Sequence, residues 1–250
     1  MSRVRAPRGD ARPFLVVQTG TTLPSLRARI GDFPHWFRCG LGLAAHDVRL
    51  VRADAGDALP SADAVAGVVV TGSGAMVTDR LDWSERTGAW LADVVARGRT
   101  PLLGVCYGHQ LLAHALGGTV DWNPQGREIG TKTLTTTAAA AADILFAPNA
   151  AGFRAHTTHQ QSVVAPPPGA VVLAHSAQDP HQALRVGAHA WGVQFHPEFS
   201  AGAMAGYIRG RADRLREERI DPAQLMRECG PAPAARRILW RFAHYCRTLA

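Results

Sequence analysis

The sequence predicts a doubly wound α/β fold with a mainly parallel central sheet and a small antiparallel flank. The prediction rests on three observations. Continuous apolar runs such as residues 14–19, Phe-Leu-Val-Val-Gln-Thr, are typical of strands buried on both faces of a parallel sheet. Stretches with helical spacing separate these runs, as βαβ units require. After Gly117 and Gly118, shorter runs follow one another closely, which indicates antiparallel strands.

The first half of the chain alternates between strands and helices. Apolar runs predict four strands, at residues 14–19, 47–52, 67–71 and 101–106. Helical spacing predicts three helices, at residues 25–43, 82–97 and 108–116. This order favours a sheet with helices on both of its faces.

The pattern in the second half of the chain predicts the antiparallel flank, followed by helices at the C-terminus. Strands of the flank are expected within residues 127–195, at 129–137, 170–174, 183–186 and 190–195. The alanine run 138–142 predicts a short exposed helix, and the Pro-Pro-Pro-Gly of 166–169 predicts a rigid turn. We therefore expect a disordered lead-in at residues 1–13, one domain over residues 14–200, and a helical extension at residues 201–250 packed on that domain.

The charge of the chain does not favour a nucleic-acid partner. The 250 residues carry a formal charge of +7, but Lys132 is the only lysine among 27 basic residues. This one-sided use of arginine indicates a bias in base composition. In residues 209–219 the arginines alternate with acidic side chains, as on a solvated helix face, and no recognition motif accompanies them.

The sequence also disfavours a membrane protein, a disulfide-stabilised protein and a metal-binding protein. No apolar run approaches the roughly 18 residues of a membrane span, and residues 14–17 are too short for a signal peptide, so a cytoplasmic location is expected. The four cysteines form no C-x-x-C pair. His109 and His114 are five positions apart, so they do not share a helix face, and neither a metal nor a cofactor is expected.

The strongest local motif is Gly-Val-Cys-Tyr-Gly-His-Gln at residues 104–110. It follows an apolar strand and opens a helix, which is the arrangement of a nucleophile elbow with cysteine in place of serine. So sharp a turn needs small residues two positions before and two after the nucleophile, where Gly104 and Gly108 stand. The sequence therefore predicts that Cys106 is a nucleophile activated by the helix N-terminus and a nearby histidine.

His196 is the best candidate for that histidine. It follows the apolar run 191–195, so it lies at the carboxyl end of a strand, where open α/β sheets place their sites. In His-Pro-Glu the two ionisable side chains are two positions apart, which puts them on one face of an extended segment. Glu198 can then orient the imidazole and stabilise its cation.

A glycine-bracketed loop, Gly-Ser-Gly at residues 72–74, also follows a buried strand. Its backbone N–H groups could stabilise an oxyanion together with the N–H of Tyr107, the residue after the nucleophile. The loop lacks the third glycine of a dinucleotide fingerprint and the lysine of a P-loop.

Together these three elements resemble the class I, or triad-type, glutamine amidotransferases. The G-x-C-x-G-x-Q motif of residues 104–110, the His-Pro-Glu of 196–198 and the loop 72–74 carry the resemblance. A weaker similarity spans about residues 14–200 and extends to free-standing proteins related to the glutaminase domain of GMP synthase. GMP synthases usually read Gly-Gly-Pro in the loop, and their S-G-G-x-D-S pyrophosphatase loop does not occur in this sequence.

The resemblance implies a flavodoxin-like sheet and a reaction. Cys106 would attack the side-chain amide of glutamine and form a γ-glutamyl thioester, His196 would protonate the ammonia and then activate water, and Glu198 would orient His196. The implied substrate-binding residues are Gly72, Gly74 and Tyr107 at the oxyanion, Gln110 at the amino-acid end, and Gln160 and Gln161 at the α-groups.

Three functions remain open on this sequence. The first is a glutaminase subunit that passes ammonia to a synthetase on another chain. The second is a self-contained γ-glutamyl hydrolase or peptidase, which uses the same chemistry with a different leaving amine. The third is a catalytically silent regulatory protein, which the intact Cys, His and Glu set disfavours.

Overall fold

The computed structural model describes residues 12–149 and 151–249. The predicted lead-in at residues 1–13 therefore lies outside the described residues apart from its last two. Pro13 is held at the sheet, because its carbonyl accepts a 2.9 Å hydrogen bond from the N–H of Ala66.

Eleven strands and eight α-helices make up the regular structure of the described residues. The strands are β1 (Phe14–Gln18), β2 (Val48–Arg52), β3 (Gly67–Val70), β4 (Leu102–Val105), β5 (Thr119–Trp122), β6 (Glu128–Thr136), β7 (Phe153–His159), β8 (Gln161–Ala165), β9 (Val171–His175), β10 (Ala183–Val186) and β11 (Ala190–Val193). The helices are α1 (Pro24–Ile30), α2 (Phe33–Leu41), α3 (Asp82–Arg97), α4 (Tyr107–Ala115), α5 (Ala201–Gly210), α6 (Ala212–Glu217), α7 (Pro222–Glu228) and α8 (Pro233–Leu249). The alanine run forms a short 3-10 helix, Ala138–Ala142, with only Ala140 buried.

Nine of the strands form one mixed sheet in the order β2-β1-β3-β4-β11-β10-β9-β6-β7, and β5 pairs separately with β8. The first five strands of that order run parallel, and the last four add antiparallel neighbours. This confirms the predicted α/β fold and its antiparallel flank. Val105 of β4 pairs with Val193 of β11, so the segments that follow these two strands emerge side by side at one edge of the sheet.

The parallel strands bury side chains on both faces, because successive residues of a strand point to opposite sides. Val70 and Leu102 belong to an apolar cluster with residues of α3 and α4, whereas Val69 and Leu103 belong to a second cluster with residues of α2, α5 and α8. Helices therefore cover both faces, as the continuous apolar runs predicted.

The predicted helix at residues 25–43 is wrong in one respect, because the chain forms two helices there. Gly31 adopts a φ of 83°, which ends α1, and the Asp32 carboxylate accepts a 2.8 Å hydrogen bond from the N–H of Phe33, which caps α2. The strands β5, β7 and β8 were not singled out from the sequence.

The C-terminal helices pack against the rest of the molecule, α8 against α2 and β7, and α5 against α1, β6 and β7. The boundary at residue 200 stays a prediction. Within residues 12–149 and 151–249, no helix is both long enough and apolar enough to cross a membrane.

Candidate active site

Cys106 occupies the sharp turn between β4 and α4 that the sequence predicts. Its backbone has φ 53° and ψ −102°, a left-handed conformation that is strained for a residue with a side chain. A Cβ atom at position 104 would collide with the carbonyl oxygen of Gly108, and one at position 108 would lie 2.6 Å from the carbonyl oxygen of Val70. Both glycines are therefore required for the strand and the helix to approach so closely.

His196 and Glu198 follow β11, beside the turn that carries Cys106. The His196 Nδ1 atom lies 2.7 Å from Glu198 Oε1, and both side chains are almost wholly buried. The N–H of His196 donates a 2.7 Å hydrogen bond to the carbonyl of His156 in β7, which ties this segment to the flank of the sheet. The acid therefore faces Nδ1 and leaves Nε2 on the opposite side of the ring.

Apolar and small residues fix the position of the imidazole ring. The ring stacks on Phe199, with centroids 4.1 Å apart, and the ring of Phe33 is parallel to it within 13° at 6.3 Å. A Cβ atom at position 72 would come within 3.1 Å of His196 Cε1. Gly72 is thus required for space beside the imidazole.

The electrostatics of the pair favour a thiolate and an imidazolium. Burial of the Cys106 thiol raises its pKa, but the charge of His196 and, more weakly, that of His159 lower it, so that the pKa of Cys106 lies below its usual value. Burial lowers the pKa of His196, whereas Glu198 and Cys106 raise it to about 10. The Nε2 atom of His196 is buried and has no hydrogen bond of standard geometry to a described residue. Cys106 nevertheless contributes to the raised pKa of His196, mainly through its charge.

The loop 72–74 and the start of α4 offer free backbone donors. The N–H groups of Gly72, Gly74 and Tyr107 make no hydrogen bond to any residue in the described part of the chain. Neither glycine has a φ in the left-handed region, and a Cβ atom at position 74 would meet nothing within 4 Å. In this conformation the limited space beside His196 accounts for a glycine at position 72. No contact within the described residues accounts for a glycine at position 74.

The predicted glutamine-binding residues line a cavity that also contains Cys106, here called the inner cavity. Gln110, Gln160 and Gln161 form part of its wall. The Gln110 Nε2 atom donates to the carbonyl of Gln161 (2.7 Å) and to Gln194 Oε1 (2.9 Å). The side chain of Gln161 accepts from the N–H of Val77 and donates to Thr78 Oγ1. These side-chain bonds shape the wall, and Gln110 Oε1 is not engaged by any described group.

A second buried ion pair includes His159, which also lines the inner cavity, and was not predicted. His159 Nε2 lies 2.9 Å from Glu128 Oε2, and the His159 Nδ1 atom is 2.9 Å from the carbonyl of Gln161. Burial lowers the pKa of His159, but Glu128 raises it further, so the net direction is upward. Burial raises the pKa of Glu128, but His159 lowers it below its usual value. The polar Thr-Thr-His segment of β7 gave no sequence signal for such a pair.

Two residues of the C-terminal helices also reach the site. Tyr207 of α5 and Arg211, which follows it, line a second cavity of about 270 Å³ that contains Cys106 and His196. We call this the His196-side cavity; Thr22 and Phe33 also line it. An isolated tyrosine and an arginine among many surface arginines carry no local signal, which is why sequence reasoning missed them.

Comparisons with known proteins show the family to which the chain is similar. A model of the family described as glutamine amidotransferase class-I matches residues 38–210. The chain is 37% identical over 159 residues to a GMP synthase (glutamine-hydrolyzing) of Aeropyrum pernix, a match that covers 63% of this chain and 28% of that protein. It is 40% identical over 103 residues to one subunit of the GMP synthase (glutamine-hydrolyzing) of Ignicoccus hospitalis, a match that covers 41% of this chain and 53% of that protein.

The fold is also found in a solved structure. A glutamine amidotransferase of Thermotoga maritima superposes with a TM-score of 0.74 at 20% identity, over 96% of this chain and 99% of that one. The chain spans about a quarter of the first GMP synthase and about half of the second protein. Since the family match extends over more than half of the chain and includes the turn at Cys106 and the segment at His196, this protein belongs to the glutamine amidotransferase class-I family.

Proposed function

We propose that the protein hydrolyses the side-chain amide of glutamine through Cys106, His196 and Glu198. One observation carries this proposal: a cysteine on a strained strand-to-helix turn stands beside a buried histidine whose pKa is raised to about 10. A thiolate is the nucleophilic form of cysteine, and a neighbouring imidazolium both stabilises it and can supply a proton.

In the first half of the reaction the Cys106 thiolate attacks the carbon of the amide. The N–H groups of Gly72, Gly74 and Tyr107 stabilise the oxyanion that forms. His196 gives its Nε2 proton to the nitrogen as the carbon–nitrogen bond breaks. Ammonia leaves, and a γ-glutamyl thioester stays on Cys106.

In the second half, neutral His196 takes a proton from water. The hydroxide attacks the thioester, glutamate leaves, and the thiolate of Cys106 is restored beside a protonated His196. Glu198 holds the Nδ1 side of the ring throughout, which keeps Nε2 directed at the reacting atoms.

We further propose that the ammonia passes to a synthetase on another chain in the cytoplasm. The relative from Ignicoccus hospitalis is one subunit of a GMP synthase, which supports a glutaminase that works with a separate synthetase chain. A glutaminase of this kind would waste no ammonia if its oxyanion loop were completed only when the partner docks.

The test is ammonia release by the purified chain, with Cys106→Ala as the inactive variant and Cys39→Ala as the matched control. Cys39 is an exposed cysteine on α2. We expect slow release by the wild type and by Cys39→Ala, and none by Cys106→Ala. Wild-type activity in Cys106→Ala would refute the mechanism, and fast release by the isolated chain would contradict the dependence on a partner.

The His196-side cavity favours a second candidate, hydrolysis of γ-glutamyl amides larger than glutamine. This cavity of about 270 Å³ is a cleft partly open to solvent beside Cys106 and His196, so a leaving group larger than ammonia can be accommodated there. A γ-glutamyl hydrolase would use the same three residues without a partner chain.

A further inference from the structure

Arg211 is placed where the leaving group of a γ-glutamyl substrate would be. It lines the His196-side cavity together with Cys106 and His196. Since His196 protonates the departing nitrogen in the proposed reaction, the amine must leave toward this cavity. The cavity has room for an amine of several heavy atoms.

The guanidinium of Arg211 has neutral partners only. Its Nη1 donates a 2.8 Å hydrogen bond to Thr158 Oγ1, and its Cζ lies 5.1 Å from the centre of the Tyr207 ring. In the described part of the chain no carboxylate lies within 4 Å of it. Arg127, the other arginine near Cys106, is paired at 2.7 and 3.0 Å with both carboxylate oxygens of Glu218.

A partly buried guanidinium without an acidic partner is suited to bind an anion from outside the chain. Burial lowers the pKa of Arg211, which reflects the cost of holding this charge away from water. The planar group presents donors that match a carboxylate in a bidentate manner, and such charge-assisted bonds are stronger than neutral ones.

We propose that Arg211 binds a carboxylate on the leaving amine, so that the site favours γ-glutamyl amino acids or peptides over glutamine. This inference rests on the second candidate function, hydrolysis of larger γ-glutamyl amides, and on the Cys106, His196 and Glu198 chemistry that both candidates share. The bond that breaks is the γ-glutamyl carbon–nitrogen bond, the bond that forms is the thioester to Cys106, and His196 supplies the proton that makes the departing nitrogen an amine. Water then releases glutamate, so each turnover consumes one water and yields glutamate and an amino acid or peptide.

The surroundings of Arg211 favour the leaving group over the α-carboxylate of the glutamyl half. Arg211 lines the inner cavity as well, but Tyr207, on which its guanidinium stacks, lines only the His196-side cavity. Thr22, which is bonded to the Tyr207 hydroxyl at 2.9 Å, also belongs to that side. The residues implied to bind the α-groups lie in the wall of the inner cavity.

Binding to the Cys106→Ala protein tests the proposal without turnover. Calorimetric titration compares γ-glutamylglycine with γ-glutamylmethylamide, which differ only in the carboxylate of the leaving amine. We expect γ-glutamylglycine to bind about 10-fold more tightly or better. Arg211→Gln in the same background should remove this preference, whereas Arg209→Gln, an exposed arginine of α5, should keep it.

Equal affinity for the two ligands, or no measurable binding of γ-glutamylglycine, would overturn the proposal. The proposal would also be overturned if Arg211→Gln weakened the binding of both ligands by the same factor. That result would indicate that Arg211 binds the α-carboxylate, which both ligands share. Hydrolysis by the wild type separates this outcome from failure of the proposed function. If the wild type hydrolyses glutamine through Cys106 but shows no preference for a carboxylate on the leaving amine, only the role proposed for Arg211 is refuted.

Discussion

Glu198 Oε1 lies 2.7 Å from His196 Nδ1, and the two residues are 2% and 3% exposed. At that depth a carboxylate is costly unless it is paired, and so is an imidazolium, so each group stabilises the charged form of the other. This relationship keeps the His196 pKa near 10 although burial alone would lower it. The proton that the leaving group needs is therefore already in place at neutral pH.

Removing either residue of this pair should lower activity to a different extent. His196→Ala should reduce kcat by several orders of magnitude, because the proton donor is lost. Glu198→Ala should cost at least about 10-fold less, because the imidazole remains but is poorly oriented and less basic. Steady-state kinetics on glutamine or on a γ-glutamyl peptide measures both. Equal losses would show that Glu198 does more than position the ring.

The pH dependence of Cys106 alkylation should reveal its lowered pKa. Because a lowered pKa means that thiolate persists to lower pH, the iodoacetamide rate should reach half of its maximum well below pH 9, the usual value. Hydrolysis should in addition fall as pH rises through about 10, where His196 loses its proton. The Cys39→Ala background removes the exposed thiol on α2 from the measurement. His196→Ala should move the alkylation midpoint upward, and a wild-type midpoint at 9 or above would refute this account.

Glu128→Gln should destabilise the protein and make Cys106 less reactive. Breaking a buried pair costs about 3–5 kcal/mol of unfolding free energy. In the variant, His159 keeps only the more distant carboxylate of Asp179, 3.9 Å from its Nε2. Ionised Glu128 stabilises the folded protein fully above pH 4.5, the ordinary glutamate pKa, and this stabilisation is lost as pH falls, because the folded pKa is lowered. Protonated His159 stabilises the folded protein fully below pH 6.5, the ordinary histidine pKa, and this stabilisation is lost as pH rises, because the folded pKa is raised.

Urea unfolding between pH 4.5 and 6.5 is thus the most sensitive measurement of this pair. Loss of Glu128 should lower the pKa of His159 and so reduce its positive charge, so the alkylation midpoint of Cys106 should rise as well. Asp213→Asn, which removes an exposed partner of Arg216, is the control and should leave both quantities near wild type. Unchanged alkylation in a destabilised Glu128→Gln protein would confine the pair to a structural role.

Gly72→Ala and Gly74→Ala separate the roles of the two glycines of the loop 72–74. The methyl group at position 72 would lie 3.1 Å from His196 Cε1, so the ring would have to shift by a few tenths of an ångström and kcat should fall by up to about 10²-fold. Gly74→Ala should fold normally, because nothing lies within 4 Å of the added methyl group. If the loop must adopt a left-handed φ at position 74 to become active, this variant should nonetheless lose activity. Thermal unfolding together with kinetics distinguishes a folding defect from a defect in the loop, and full activity of Gly72→Ala would contradict the close approach.

Much of the fold follows from hydrophobic patterning alone. The helix predicted at residues 82–97 and the strand at 183–186 have the observed bounds. The break between α1 and α2 was missed, since a helical apolar spacing continues through Gly31 and Asp32 and masks a turn and a cap. Strand β7 was missed because it buries polar side chains, including His156 and His159, which carry no strand pattern.

The candidate site could be predicted only where local chemistry marks it. The elbow at Cys106 and the His-Pro-Glu segment are recognisable because their function constrains consecutive residues. Arg211 is different, since it reaches Cys106 only through the packing of α5 on α1, β6 and β7. No local pattern distinguishes it from the arginines around it, so its role could be inferred only from the cavity that it lines.

Labelling with the glutamine analogue 6-diazo-5-oxo-L-norleucine tests the central claim most directly, because the reagent must be recognised as glutamine before it can alkylate a nucleophile. Intact-protein mass and peptide mapping should show one adduct per chain on Cys106, at the same rate in Cys39→Ala. The adduct should be absent in Cys106→Ala. An unmodified wild-type protein would indicate a catalytically silent member of the family, and an adduct on any residue other than Cys106 would contradict the assignment of the nucleophile.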